Sequence, residues 1–251
     1  MKILVTSKNL EECLSDLQAE EYIGLDTETY GLRMEDRMFC LQLATEQNQY
    51  YFNFLEYPSQ PYVWDMENFV DKTKKLFADA DKTWFIHNAK FDMHKLCNEG
   101  ITLSGTIHCT EAIARIIYNQ HMHYSLDACL KRIGHRKDDK VKEYIKKHKL
   151  YTKEKVTGKK RSFRNDHYDL VPFDLMFEYG CIDTEMVRVL GMSQLDKIYD
   201  QALYDQETEL TKTCFNMERT GITINKEYVR YAKEKESQKL EKAIEQATEY
   251  A

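Results

Sequence analysis

The stretch 22-YIGLDTETYGL-32 sets the problem. A short apolar run, Tyr22 to Leu25, has the look of a strand and ends in Asp26, Thr27, Glu28 and Thr29. Side chains two apart on a strand share a face, so Asp26 and Glu28 stand side by side and repel each other. Water, a basic neighbour or a metal cation must offset that repulsion.

Other segments place this strand in context. "KILVTS", "MFCLQLAT" and "QYYFNFL" read as further strands, with "EQN" as a hairpin turn between the last two. "MENFVDKTKKLFADA" has helical spacing, and "KTWFIHNAKFDMHKLCNEG" starts as a strand and continues as a helix stopped at Gly100. "SLDACLKRIG" is a helix with Ser125 as N-cap and Gly134 as terminator. A long helix is predicted from "PFDLMFEYGCIDTEMVRVLG", and a second closes at Gly221, after which Asn225 caps a last charged helix. The fold class expected is α/β, a mixed sheet flanked by helices, followed by a carboxy-terminal helical pair. The composition shift near residue 196 divides the chain into 1–195 and 196–251.

Composition narrows the function classes. The 251 residues carry 36 basic and 42 acidic side chains, a formal charge of −6, and no apolar stretch of the roughly 18 residues a membrane span needs. Seven cysteines, odd in number and without a C-x-x-C pair, suggest reduced thiols in a cytoplasmic setting. No histidine or cysteine spacing matches a structural zinc site, and "VTGKKRS" lacks the first glycine of a phosphate-binding loop. The acidic mean hides a basic insertion, about 135–168, in which thirteen Lys and Arg between Arg136 and Arg164 face four acids. It reads either as a solvated face or as a strip along a phosphate backbone, with Lys159, Lys160 and Arg161 as the candidate contacts.

Two more patterns bear on the acid pair. In "HNAKFD" Asn88 and Asp92 are four apart and share a helix face; in "YGCID" so do Tyr179 and Asp183. Asp183 lies in an apolar helix and needs a partner, for which Arg188 is one candidate; Asp92 has Lys95 nearby. Taken singly, each pattern has an ordinary structural explanation. Together they supply four carboxylates from three segments.

With "LDTET", "HNAKFD" and "YGCID" in this order, the chain resembles the 3′–5′ exonuclease domain of family A DNA polymerases, phage-type, within the DEDD superfamily and with Tyr in the third motif. The resemblance implies an RNase H-like fold and two divalent cations, Mg²⁺ or Mn²⁺, held by Asp26, Glu28, Asp92 and Asp183 about 3.5–4 Å apart. It implies that Tyr179 orients the attacking water, that Leu32 meets the terminal base, and that Thr29 and Asn88 contact the strand. The expected reaction is proofreading hydrolysis at the 3′ end of single-stranded or frayed DNA, releasing nucleoside monophosphates. The segment 207–225 resembles the start of a polymerase thumb, which implies a polymerase domain continuing the same chain, a possible processivity factor, no membrane partner, and the host cytoplasm as compartment. An RNase D-like exoribonuclease and a silent DNA-binding module are the alternatives.

Overall fold

The computed structural model describes residues 1–155 and 162–249. The expected loop core "VTGKKRS", with Lys159, Lys160 and Arg161, falls largely outside them. The chain divides into two compact units, Met1–Phe215 and Asn216–Ala251.

The first unit is built on a six-stranded mixed sheet in the order β1-β4-β3-β2-β5-β6. These strands are β1 (Lys2–Leu4), β2 (Tyr22–Thr29), β3 (Met38–Ala44), β4 (Gln49–Asn53), β5 (Thr83–Ile86) and β6 (Thr106–Cys109). β2, β3 and β4 are antiparallel neighbours, as the "EQN" turn predicts, whereas β5 and β6 run parallel to β2. β3 and β4 are buried along their whole length, because helices or loops cover both faces.

Helices α1 (Leu10–Ala19), α2 (Met66–Phe77) and α3 (Ala89–Asn98) contribute apolar faces to one core, with Leu17, Phe69, Leu96, Ile23 and Leu25. Against the other face lies α7 (Phe173–Leu195), with α4 (Thr110–Ile117), α5 (Leu126–Arg132) and α6 (Lys140–His148) around it. The described residues of the basic insertion form regular elements. α6 buries Val141 and Ile145, and β7 (Tyr151–Lys155) pairs with β8 (Ser162–Asp166) as a separate antiparallel ladder. Its high charge hid both elements from the sequence pattern.

α7 determines where the site forms. It crosses β2 so closely that a Cβ on Gly24 would lie 2.6 Å from the Thr184 carbonyl oxygen and 2.9 Å from Arg188 Cβ. One helical turn beyond Val187, a Cβ on Gly191 would lie 2.2 Å from the Phe85 ring. Gly24, Asp26 and Glu28 alternate onto the same face of β2, so the helix that sits on Gly24 also passes over the two acids.

The second unit contains α9 (Lys226–Glu249), whose entry is capped by Asn225: its Oδ1 accepts from the backbone N–H groups of Glu227 and Tyr228, at 3.1 and 3.0 Å. Helix α8 (Gln201–Thr220) ends before Gly221, which takes φ +66° as the expected terminator.

Gly24→Ala should displace α7 from β2, because the nearest blocking atom is a backbone carbonyl oxygen and the next, Arg188 Cβ, is fixed to the helix backbone, so neither can rotate away. The expected loss is roughly 1–3 kcal/mol in denaturant unfolding, the usual cost of overpacking. Unchanged stability would show that the helix is not held by this contact.

Candidate active site

β2 and α7 together bring three carboxylates to one point. Ligand oxygens of Asp26, Glu28 and Asp183 all lie within 4.8 Å of one another. Asp183 is 2% exposed, and among the described residues its Oδ1 has no hydrogen-bond partner. An orphaned buried carboxylate oxygen beside two further acids is the donor set that suits a hard divalent cation.

Asp92, on the first turn of α3, arrives differently. Thr27 points to the opposite face of β2 from the two acids, and both its backbone N–H and its hydroxyl donate to Asp92 Oδ1, at 3.0 and 2.6 Å. Thr27 thus staples α3 to the end of β2. Asp92 stays outside the group of three, yet it is near enough for its charge to raise the pKa of Asp26. It is 2% exposed and so is no surface acid, although the nearby Lys95 charge still acts on it.

Lys95 has another task. Its ammonium donates to the Arg33 carbonyl, lies 3.5 Å from the Gly31 carbonyl, and sits 4.6 Å from the Phe91 ring centre. With the Arg37–Glu99 ion pair at 2.6 Å, it pins the loop that carries Leu32.

The partner of Asp183 is also not the one expected. Arg188 donates to the Tyr22 carbonyl at 3.0 Å and faces Glu20. Asp183 Oδ2 is instead paired with Lys137, from the loop between α5 and α6. Lys137 also stands 4.9 Å from the Tyr179 ring centre. No sequence spacing links Lys137 to the motifs; it was visible only as one charge among thirteen.

Electrostatics reflect this crowding. Burial pushes Asp26 well above the usual carboxylate range, and the Asp92, Glu28 and Asp183 charges push it further. Burial raises Glu28 to about 8 and Asp92 to about 7, opposed by Lys137 at Glu28 and by the Thr27 hydrogen bonds at Asp92. Burial would lower Lys137, but the Asp183 carboxylate reverses this and raises it. Tyr179 is raised well above 10, by burial first and then by Glu28 and Asp183, so its phenol stays protonated.

Beside the acids opens a cleft of about 300 Å³, lined by Glu28, Thr29, Leu32, Phe91 and Tyr179, and on its far wall by Arg164, Asn165 and Tyr168. Leu32 is 58% exposed there. The Thr29 hydroxyl donates to the Gly31 carbonyl at 2.8 Å. Asn88 holds a left-handed conformation (φ 60°) at the start of α3 and lines a different cavity, with Cys109, Glu111 and Arg115. Arg164 and Asn165, from β8, are cleft residues that the sequence did not single out.

A mixed sheet that presents acids at a strand end beneath a crossing helix defines a nuclease-like α/β fold. Trypanosoma brucei RNase D shares it, with a TM-score of 0.65 at 16% identity over 88% of this chain and 75% of that one. The polymerase domain of Pol1 from M. smegmatis shares it at a TM-score of 0.61 and 14% identity, over 88% of this chain and 32% of that one.

The family follows from sequence. The 3′–5′ exonuclease family model matches residues 1–190. The chain belongs to the 3′–5′ exonuclease domains of family A DNA polymerases, and is a nuclease of the hydrolase class. DNA polymerase DpoZ of Acinetobacter phage SH-Ab 15497 is 30% identical over 217 residues, and DNA polymerase I of Borreliella burgdorferi is 23% identical over 236. These matches cover 82% and 90% of this chain but only 32% and 23% of those proteins.

The raised carboxylates predict an unusual pH dependence. In the ion-free protein each holds a proton that the unfolded chain releases near its ordinary value, so stability falls as pH rises toward the folded value. His87 and His108, lowered by burial from 6.5 to about 4, act in the opposite sense below about pH 6.5. In chelator, Tm should therefore decline from about pH 6.5 to 8, the window closed by Glu28. If an ion binds the deprotonated acids, saturating Mn²⁺ should remove the decline, and Glu28→Gln should shallow it. A flat or rising Tm in chelator would contradict the assigned protonation.

Proposed function

We propose that the chain is a metal-dependent 3′–5′ exonuclease that hydrolyses the terminal phosphodiester of single-stranded or frayed DNA and releases nucleoside monophosphates, a proofreading reaction. The observation that carries this reading is the convergence of Asp26, Glu28 and Asp183, one of them with an orphaned buried oxygen, at the edge of a cleft open to Leu32.

Asp26, Glu28 and Asp183 would hold a divalent ion, and Asp92 would help to hold a second; Mg²⁺ suits the all-oxygen set and Mn²⁺ can replace it. When bound, such ions activate a water and offset charge on the attacking and leaving oxygens. The protein's own residues supply the rest. Tyr179, protonated at all working pH values, orients the water by hydrogen bonding and does not serve as a base. Leu32 and Phe91 give the terminal base an apolar surface, with Lys95 holding the loop beneath it. Thr29 and Asn88 are proposed strand contacts, as are Lys159, Lys160 and Arg161. A frayed end enters more readily than a paired one, since less unstacking is required.

The relatives named above are DNA polymerases, of which this chain spans a third or less. We accordingly propose that the exonuclease works beside a polymerase domain of the same chain, with residues 196–251 as the beginning of its thumb. The proposed compartment is the host cytoplasm of a phage-infected cell, and a processivity factor is a further proposed partner. Among the described residues, no helix is long and apolar enough to cross a membrane. RNA as substrate is the second reading, favoured by the fold shared with RNase D.

End-labelled single strands of DNA and RNA of one sequence, each with Mg²⁺ or chelator, separate the readings. The expected result is Mg²⁺-dependent shortening of DNA from its 3′ end, with RNA cut more slowly. Asp26→Ala should lower the rate at least about 10³-fold with single-strand binding retained, and Tyr179→Phe by about 10²-fold, the order of cost of a misplaced reactant. Faster cleavage of RNA would transfer the assignment to an exoribonuclease. Full activity of Asp26→Ala would remove the site altogether.

A further inference from the structure

Lys137 belongs to none of the three acidic motifs, yet it reaches their centre. It lies on the short connection between α5 and α6. The start of that connection is fixed by Gly134 at φ +83°, and its end by Asp138, whose Oδ1 accepts the Lys140 N–H at 2.8 Å. From there the side chain runs past the Tyr179 ring and places its ammonium on Asp183 Oδ2. That carboxylate is one of the three whose oxygens converge within 4.8 Å. The Lys137 side chain is 15% exposed and Asp183 is 2% exposed, so water screens the pair poorly.

We propose that Lys137 is the resident cation of the acid cluster, standing where a divalent ion binds and setting the ion's affinity by competing with it. This rests on the metal-dependent reading above. Four carboxylates in one partly dry site cannot all ionise without a countercharge. The ammonium supplies one and keeps β2 and α7 together while no ion is bound. A divalent ion at the same oxygens brings twice the charge and repels the ammonium, so one must leave. Lysine suits the exchange: its ammonium is a compact point charge on a flexible four-carbon stem, without the fixed fork that would lock arginine onto a carboxylate. The exposed part of Lys137 leaves it a way out toward solvent.

The test is calorimetric titration of Mn²⁺ into the chelator-stripped full chain, comparing wild type with Lys137→Met and Lys137→Arg. Removing the competing ammonium that the ion must displace from Asp183 should tighten binding on the order of tenfold or more. Lys137→Arg, which retains the charge, should bind no more tightly than wild type. In chelator Lys137→Met should melt below wild type, and Mn²⁺ should raise its Tm by more than it raises that of wild type. If the Met variant does not fold in chelator, Lys137→Gln takes its place, and refolding of either on addition of Mn²⁺ supports the proposal.

Equal or weaker Mn²⁺ binding by the folded variants overturns it, as does failure of both to fold even with Mn²⁺. Wild type and variants that all ignore Mn²⁺ would overturn the metal-dependent reading as well, which separates the two failures.

Discussion

The close passage of α7 over β2 is the constraint on which the site depends. Without the bare Cα at Gly24 the helix could not approach, and Asp183 would not reach Asp26 and Glu28. The approach has an electrostatic cost, because it buries like charges together. Lys137 offsets part of that cost in the ion-free protein, and the raised carboxylates absorb the rest by holding protons. Packing and electrostatics are thus one problem here. The contact that stabilises the sheet–helix interface also creates the charge density that a cation can satisfy.

Around this centre each supporting element has a distinct task. Thr27 binds Asp92 from the opposite face of the strand and so brings α3 to the site without adding a fourth oxygen to the tightest group. Lys95, fully buried, spends its charge on loop carbonyls and thereby fixes the segment that presents Leu32. The β7–β8 ladder contributes Arg164 and Asn165 to the far wall of the cleft. The pinned loop and the ladder border the acids with a cleft, which the proposed recognition of a strand end needs in addition to the acids.

Much of this was legible in the sequence. The alternation in β2 put Asp26 and Glu28 on one face, the four-residue spacing in α7 put Tyr179 and Asp183 on one face, and the order of the motifs marked the family. The missing parts share a physical cause: they depend on contacts between segments far apart in the chain. Lys137 meets Asp183 across 46 residues, Thr27 meets Asp92 across 65, and neither pairing leaves a local period. Nearest charge in sequence pointed to Arg188 and Lys95; the fold turns Arg188 to the Tyr22 carbonyl and Glu20, and hydrogen-bonds Lys95 to loop carbonyls while its charge still reaches Asp92. The expected helix face shared by Asn88 and Asp92 does not form: Asn88 precedes α3 as its left-handed N-cap and lines another cavity. β7 and α6 were hidden by charge, since a two-stranded ladder and a half-exposed helix carry few apolar positions to mark their period.

The central claim is that Asp26, Glu28 and Asp183 form a cation site which a lysine fills in the absence of the ion. Anomalous diffraction from crystals grown in chelator and then soaked in Mn²⁺ tests it most directly. A peak among the three carboxylates is expected in the soaked crystal, with the Lys137 ammonium on Asp183 before soaking and away from it afterwards. A soaked crystal with no peak there, or with Lys137 still on Asp183 beside a bound ion, would contradict it.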